Sequence, residues 1–283
     1  MIIFRKAADL SSFLHKLRES GSRIGFVPTM GALHAGHIRL VSQAEKEEPI
    51  TVCSIFVNPT QFNDANDFAK YPVNIEKDID LLESSGCDVL FLPSVDEIYP
   101  EGTTTSNHYE LGFLETILEG KYRPGHFQGV CQVVHRLLEI IMPDTLYLGQ
   151  KDYQQCMVIR KMIASAGWEN KIGLVISTTV READGLAMSS RNARLNPAER
   201  KQAVEISATL QFIKTNIRPG ALQEIKKSAF EILSAKDFKV DYVEIANAND
   251  LQATEVWDGK TKVVVLAAAY LNEVRLIDNL LIN

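Results

Sequence analysis

The sequence predicts an α/β protein, with a parallel sheet in its first part and a smaller α+β domain after it. Short apolar segments alternate with segments whose apolar residues recur at helical spacing, up to about residue 178. Polar motifs follow several of the predicted strands, at the edge where parallel sheets bind ligands. Beyond residue 179 the alternation stops, and two helices precede three strands. We therefore predict a Rossmann-like domain at residues 1–178 and a second domain at 179–283, joined between residues 177 and 194.

The positions of the apolar residues predict the elements of the first domain. Leu10, Phe13 and Leu14 share one face of a helix predicted over residues 7–20. Strand followed by helix implies right-handed crossovers and a parallel sheet covered on both faces. The predicted strands are 24–27, 50–57, 87–93, 145–148 and 172–178, and the helices between them end near residue 47 or span 75–85, 127–141 and 153–166.

The second domain has a different predicted order. Helices are expected over residues 197–217 and 222–235, and strands near 240–245, 262–269 and 274–278. The last two strands are close enough in sequence to form a hairpin.

Composition and charge exclude several classes of protein. Of the 283 residues 46% are hydrophobic and 23% are charged, as in ordinary globular proteins. No apolar run approaches the length of a membrane span, and the first residues do not resemble a signal peptide, so we expect a cytoplasmic protein without a membrane partner. A net charge of -6 disfavours nucleic acid as a partner. Four cysteines without a CxxC pair predict buried thiols: Cys53, Cys87, Cys131 and Cys156.

The segment IGFVPTMGALHAGHIRLV, residues 24–41, predicts a strand, a loop and a helix. Gly31 permits backbone geometry closed to other residues, and Gly36 lets a ligand approach the main chain. The helix N-terminus offers unpaired N–H groups to an anion. His34 and His37 are three residues apart, so both imidazoles can point toward that anion and would donate more strongly when protonated. The alternative is that two polar histidines only cap a buried helix.

Two further loops offer polar side chains at strand ends. In GQKDYQQ, residues 149–155, Lys151 precedes a helix and could bind a phosphate oxygen, although a surface pair with Asp152 is the alternative. Gln155 follows one turn later, and Gln61 lies in NPTQF after the second predicted strand. The side-chain amide of each glutamine has a donor and an acceptor, which could bind a hydroxyl or carboxylate of a ligand. For Gln61 the alternative is a solvated loop residue.

Charged residues in three other places are weaker candidates. Asp78 on a predicted helix could face magnesium held mainly by phosphates, although helix-surface aspartates are usually solvated. Arg123 and His126 could add positive charge, or could cap and pack. The loop READGLAMSSRN, residues 181–192, carries two hydroxyls and Arg191 between the two domains. Its closure could bring these donors onto a departing pyrophosphate.

HAGH resembles the HIGH motif of the nucleotidyltransferase superfamily, and MSSR resembles its KMSKS loop, with Arg191 in place of the lysine as the cation. The strings PTMGALHAGH, SIFVNPTQF, PSVDEIYP, YRPGHFQGV, GQKDYQQ and READGLAMSSRN resemble the pantothenate synthetase family, in its order, over most of the first 195 residues. Leu148 stands where the common pattern has Phe, a change of apolar packing.

The resemblance implies a ligase that condenses pantoate with β-alanine using ATP and magnesium, through pantoyl adenylate, as a homodimer. His37 matches the catalytic acid, and we add His34, Lys151 and Arg191 to the predicted catalytic set. Pantoate would contact Pro28, Thr29, Gln61 and Gln155, with Gln61 also near β-alanine, and Asp78 would face the metal. ATP would contact Met30, Gly31, Ala32, Leu33, His34, Ala35, Gly36, His37, Gly149, Gln150, Lys151, Asp152, Val180, Met188, Ser189, Ser190 and Arg191.

Two other functions remain open from the sequence. One is a different adenylyltransferase of the same superfamily that acts on a phosphorylated acceptor, which would need more cationic side chains than Gln61 and Gln155 provide. The other is a non-catalytic nucleotide-binding or scaffold protein with this fold. A metal hydrolase using His34 and His37 is remote, because no third ligand has a recognisable spacing.

Overall fold

A computed structural model describes residues 1–63, 65–103 and 108–282. The chain forms two compact units. The first contains Met1–Gly149 and Gln155–Thr178, and the second contains Gln150–Gln154 and the chain from Thr179 onward. The predicted second domain runs to residue 283, which lies outside the described residues.

The first unit contains a parallel sheet. Its strands are β1 (Ile2–Phe4), β2 (Ile24–Thr29), β3 (Ile50–Ile55), β4 (Val89–Phe91), β5 (Thr145–Gly149) and β6 (Gly173–Ser177). Within the described residues these six strands lie in the order β1-β4-β3-β2-β5-β6, and every neighbouring pair is parallel. The predicted parallel sheet is therefore confirmed. The chain runs from β2 outward to β4 and then returns to the other side at β5, so the strand order reverses between β2 and β5.

Helices connect these strands. They are α1 (Ala7–Glu19), α2 (Ala35–Glu47), α3 (Ala65–Ala69), α4 (Ile75–Ser84), α5 (Val95–Ile98), α6 (Leu118–Tyr122), α7 (His126–Ile141) and α8 (Tyr153–Ser165). The apolar stripe of α7 is buried, and the helix ends because Met142 turns into the left-handed region at φ 46° just before Pro143. The predicted boundaries of the longer helices agree with these to within a few residues.

Apolar side chains from the sheet and helices fill the first unit. One cluster joins Val27 of β2, Val41 of α2, Cys53 of β3 and Leu82 of α4. All four cysteines are buried free thiols, as the sequence predicts. Burial raises the pKa of Cys87 and of Cys131 to about 12, so both remain protonated at neutral pH.

The second unit combines helices with antiparallel strands. Its elements are α9 (Pro197–Gln202), α10 (Glu205–Asn216), β7 (Gly220–Ala221), α11 (Gln223–Ser234), β8 (Lys239–Asn247), β9 (Val256–Trp257), β10 (Val263–Leu271) and β11 (Val274–Ile282). A sheet has the order β11-β10-β8, and β10 pairs with β11 in the predicted hairpin. Side chains such as Leu210, Leu233 and Val265 form the core between this sheet and helices α10 and α11.

Several predicted boundaries were wrong. Strand β1 was not predicted, because three residues at a sheet edge, two of them exposed, are too few to give a periodic signal. The predicted helix over 197–217 is divided at Ala203 and Val204, where the backbone stays in the right-handed helical region. The predicted strand at 50–57 ends at Ile55. In the described part of the chain, the structure contains no helix long and apolar enough to cross a membrane.

The core position of α7 yields a stability prediction. Leu138 is fully buried, so Leu138→Ala should lower the free energy of unfolding by about 2–5 kcal/mol, through lost burial and the cavity left behind. The control is Glu139→Ala on the next residue, which removes only surface ion pairs and should change that free energy by less than about 0.5 kcal/mol. Urea unfolding of both variants checks this, and equal effects would contradict the assigned core.

Candidate active site

The turn between β2 and α2 has a backbone conformation that few residues adopt. Gly31 has φ +79°, and a Cβ there would lie 3.0 Å from Asp78 Oδ2. Ala32 also has a positive φ of 49°, which costs a residue with a Cβ roughly 1–2 kcal/mol. The hydroxyl of Thr29 accepts from Gly31 N at 3.2 Å and donates to Ser54 O at 2.7 Å. The turn is therefore tied to β3, and Thr29 is a structural residue of it.

A buried carboxylate holds this turn in its strained conformation. Asp78 on α4 is 1% exposed; its Oδ2 accepts from Ala32 N at 2.8 Å and its Oδ1 from Leu33 N at 2.7 Å. Burial raises the pKa of Asp78, and the two N–H groups lower it in part. Two hydrogen bonds to an ionised acceptor offset the cost of the left-handed Ala32. The solvated position considered for Asp78 is wrong.

His34 and His37 lie together at the start of α2. Their ring centroids are 4.1 Å apart, so the two rings do project to the same side. His34 is the N-cap: its Nδ1 accepts from Gly36 N at 3.1 Å, and His37 Nδ1 accepts from His34 N at 3.4 Å. Because both Nδ1 atoms accept, each ring in this arrangement is neutral and carries its proton on Nε2.

The HAGH segment was given two interpretations, anion binding and helix capping, and the capping contacts are compatible with both. The histidines cap the helix through Nδ1, and the same contacts set Nε2–H as the donor of each ring. A proton on Nδ1 would displace the backbone N–H that caps the helix, so the capping contacts favour neutral rings. The stronger donation expected from protonated rings stays a prediction.

Gln61 is held by a network of buried polar groups. Its Nε2 donates to Met30 Sδ at 2.8 Å, and its Oε1 accepts from Asn58 Nδ2 at 3.2 Å. Asn58 is 1% exposed; its Nδ2 also donates to Gly129 O at 3.1 Å, and its Oδ1 accepts from Tyr99 OH at 2.8 Å. Gln61 is thus a positioned side chain in contact with the β2 turn, and the alternative of a solvated loop residue is wrong.

The first turn of α7 positions the backbone of the same segment. His126 Nδ1 contacts Gln61 O at 2.8 Å and must donate, because a carbonyl oxygen only accepts. Its Nε2 therefore accepts from Arg123 Nη1 at 3.0 Å. A Cβ on Gly129 would lie 2.2 Å from Thr60 O, which explains the glycine at this close approach. Arg123 and His126 thus support the packing alternative.

The structure divides the remaining predicted residues between the two units. Gly149 ends β5 and Gln155 lies half-buried on α8, both in the first unit. Lys151 belongs to the second unit, where its Nζ lies 4.0 Å from Asp152 Oδ1. In the same unit Met188 N donates to Val180 O at 3.0 Å, and Ser189 Oγ accepts from Arg191 N at 3.3 Å as the cap of a 3₁₀ turn, Ser190–Arg194.

The predicted site residues thus form two groups, one in each unit. In the first unit one loop cluster joins Met30, the two histidines, Gln61 and Asp78. The second unit contains Gln150–Asp152 and the turn that carries Met188–Arg191. Pro28 lies within β2, one residue before Thr29.

Magnesium does not fit Asp78 as a ligand. Both carboxylate oxygens already accept backbone N–H groups, and the side chain is buried behind the turn. Across residues 1–63, 65–103 and 108–282, no group of three or more His, Cys, Asp or Glu side chains could hold a metal ion. Asp78 therefore supports the turn and is not a magnesium ligand.

Sequence reasoning missed Asn58, Tyr99 and Gly129 as residues of this site. Asn58 directly follows the strand predicted at 50–57, and its amide just before Pro59 in NPTQF is a signal that it could organise the turn. Tyr99 is 41 residues from Asn58 along the chain, so no local pattern connects them. Burial raises the pKa of Tyr99 to about 12, which keeps its hydroxyl a donor.

Comparisons with known proteins agree over nearly the whole chain. A family model described as Pantoate-beta-alanine ligase matches residues 2–281. Pantothenate synthetase of Bacteroides thetaiotaomicron is 44% identical over 281 residues, covering 99% of this chain and 98% of the relative. The Phocaeicola vulgatus enzyme of the same name is 45% identical and covers 99% of both.

Solved structures give the same result. The crystal structure of pantothenate synthetase from Thermus thermophilus matches with a TM-score of 0.89 and 40% identity, over 99% of each chain. Pantoate-beta-alanine ligase from Francisella tularensis, described as complexed with beta-gamma ATP and beta-alanine, matches with a TM-score of 0.83 and 37% identity over 99% and 97% of the two chains.

The role of Asp78 can be tested by unfolding. Asp78→Asn keeps the size of the side chain but puts an NH₂ group against Ala32 N or Leu33 N, two donors facing each other. We expect a loss of about 1–3 kcal/mol in the free energy of unfolding. The matched control is Asp80→Asn, the same change at an exposed position of the same helix, which should cost less than about 0.5 kcal/mol. Equal losses in urea unfolding would show that Asp78 does not hold the turn.

Proposed function

This chain belongs to the pantoate–β-alanine ligase family, and on that premise we propose that it condenses pantoate with β-alanine using ATP. The enzyme is an acid–amine ligase that forms pantoyl adenylate and releases AMP and pyrophosphate. The observation that carries this proposal is the match over 99% of the chain to an enzyme whose structure is described as complexed with beta-gamma ATP and beta-alanine.

The reaction has two steps with different physical demands. In the first, a carboxylate oxygen of pantoate attacks the α-phosphorus of ATP, an O–P bond forms, and the bond to pyrophosphate breaks. Like charges meet in this step, so the site must neutralise phosphate oxygens and align the attack. In the second, the neutral amine of β-alanine attacks the acyl carbon, AMP leaves, and the amine gives up a proton. Water must be excluded, because it would hydrolyse the mixed anhydride.

The start of α2 suits the phosphates. Its N-terminal N–H groups carry a partial positive charge, and the Nε2–H groups of His34 and His37 add two neutral donors from rings 4.1 Å apart. In this proposal both rings hydrogen-bond phosphate oxygens, and His37 stabilises the charge that develops as pyrophosphate leaves. ATP also contacts the backbone from Met30 to His37.

The loop cluster around Gln61 suits the acid substrate. Asn58 and Met30 fix the Gln61 amide at both ends, and His126 holds its backbone carbonyl, so the side chain is already oriented before a ligand arrives. We assign pantoate to Pro28, Thr29, Gln61 and the half-buried Gln155, with β-alanine entering near Gln61. Thr29 acts through the backbone of its turn, since its hydroxyl is already used in structural contacts.

The second unit supplies the cationic groups of the proposal. Lys151 and Arg191 bind phosphate oxygens, and the backbone at Gly149–Asp152, Val180 and Met188–Arg191 completes the ATP contacts. In this assignment residues 1–178 bind ATP and pantoate, and residues 179–283 form the lid. Magnesium accompanies the phosphates without a protein ligand assigned to it. We further propose a cytoplasmic homodimer without a nucleic-acid partner.

Isotope exchange between pyrophosphate and ATP tests the function. The protein should catalyse exchange only when pantoate is present, because the adenylate forms reversibly without the amine. A different adenylyltransferase would require a phosphorylated acceptor, and a non-catalytic protein would show no exchange. Either of those results would refute the proposal.

Variants of the histidines separate catalysis from folding. His34→Asn keeps a good N-cap for α2 but removes the Nε2 donor, so its free energy of unfolding should stay within about 0.5 kcal/mol of the parent. His37→Ala should also fold. Both should lower pantoate-dependent exchange by roughly 100-fold or more, the scale of one lost donor to developing charge. Near-normal exchange in His37→Ala would remove it from the catalytic set.

The packing of α7 yields a separate prediction for the acid substrate. Gly129→Ala forces the new Cβ against Thr60 O and shifts the segment that carries Gln61, so the KM for pantoate should rise by roughly 10- to 100-fold. The KM for ATP should change much less. The control is Gly173→Ala on β6, where the nearest atom would be 3.5 Å away in ordinary contact. Steady-state kinetics measure both constants, and equal changes in them would contradict the assigned role of Gln61.

A further inference from the structure

Two adjacent residues of the last strand, Asp278 and Asn279, are buried although both are polar. They are 4% and 2% exposed on β11, which lies at the edge of its sheet. Buried polar groups persist in proteins when they are fully hydrogen-bonded. The partners of these two side chains lie in the two second-unit segments to which the proposed function assigns ATP contacts.

Asn279 holds the segment that contains Lys151. Its Nδ2 donates to Gln150 O at 2.9 Å and to Lys151 O at 2.8 Å, and its Oδ1 accepts from Gln150 Nε2 at 3.1 Å. Both amide hydrogens and the amide oxygen are therefore used by two consecutive residues. These contacts explain why Gln150–Gln154 belong to the second unit, although they directly follow a strand of the first.

Asp278 holds the turn that precedes Ser189–Arg191. Its carboxylate accepts from Arg181 Nη1 at 2.6 Å and from Nη2 at 3.0 Å, a two-point contact that fixes the guanidinium plane. Arg181 Nη1 also donates to Gly185 O at 3.0 Å. Burial raises the pKa of Asp278, whereas Arg181, then the backbone N–H of Asn279, and last the charge of Lys151 lower it.

The turn itself is short and closed by backbone pairing. Arg181 and Ala187 form an antiparallel bridge, and Met188 N donates to Val180 O at 3.0 Å. Anchoring Arg181 therefore anchors the base of the turn. Arg181 directly follows Val180, and its partner Ala187 lies two residues before Ser189. Arg181 Nη2 reaches Asn279 O at 3.3 Å as well, which joins the two anchors.

We propose that Asp278 and Asn279 are positioning residues for ATP, which fix the Lys151 segment and the turn leading to Arg191 to a single strand. The proposal rests on the proposed function. A cation that must meet a phosphate oxygen within a fraction of an ångström needs its backbone held, because small displacements of binding groups lower activity strongly. Neither residue touches substrate; each acts through the segment that it holds.

The test compares Asn279→Ala with a matched variant in the same unit. Asn279→Ala removes all three contacts to Gln150 and Lys151 and should raise the KM for ATP by roughly 10- to 100-fold, with the KM for pantoate within about twofold. The control is Asp241→Asn, which breaks a half-buried ion pair of β11, that of Arg275 Nε with Asp241 Oδ2 at 2.8 Å. Asp241→Asn should lower stability while leaving both KM values within about twofold of the parent.

A second variant covers the case in which Asn279→Ala does not fold. Arg181→Lys keeps the positive charge beside Asp278 but loses the two-point contact, and it should raise the KM for ATP selectively in the same way. A KM for ATP within twofold of the parent in the folded variant would overturn the proposal. So would a parallel rise in the Asp241→Asn control, which would show only a loss of stability.

A binding measurement separates this proposal from the proposed function. Titration calorimetry with ATP alone requires no pantoate and no turnover. If the parent binds ATP but shows no pantoate-dependent exchange, the proposed function fails, and the ATP affinities of Asn279→Ala and Asp241→Asn still decide the positioning role. Weaker ATP binding in the first variant only supports it, and unchanged binding in both overturns it.

Discussion

The hydrogen bonds from Ala32 N and Leu33 N to the Asp78 carboxylate are the contact on which the rest of the first-unit site depends. They hold Ala32 in a left-handed conformation that it would not adopt alone, and this conformation aims the following residues into α2. The start of α2 in turn determines where His34 and His37 lie. A carboxylate that the sequence offers as a metal ligand therefore serves as the internal support of the turn to which the proposed function assigns phosphate.

The histidine pair shows how one side chain serves structure and chemistry together. Each ring accepts a backbone N–H through Nδ1, and that contact selects the tautomer with the proton on Nε2. Helix capping thus prepares two neutral donors before any ligand binds. A similar arrangement is present around Gln61, where Asn58, Met30 and His126 orient the amide and its backbone from three different elements. Preorganisation of this kind lowers the entropy lost when substrate binds.

In the second unit, the last strand holds two separate segments in place. The GQKD segment follows a strand of the parallel sheet, yet its backbone carbonyls are satisfied by Asn279, more than a hundred residues later. The neighbouring Asp278 anchors Arg181 at the base of the MSSR turn. Segments far apart in sequence become parts of one unit because the buried side chains of Asp278 and Asn279 require hydrogen-bond partners.

The sequence by itself determined the parallel sheet, the longer helices, the terminal hairpin, the buried thiols and the family, because these depend on apolar periodicity and on local motifs such as PTMGALHAGH. It did not determine strand β1, the division of the helix at Ala203, the buried position of Asp78, or the parts played by Tyr99 and Asn279. The tertiary structure decided these, since each depends on which groups meet across long separations. A local pattern specifies which face of an element is apolar, but hydrogen-bond partners of a buried polar side chain exist only once the chain has folded.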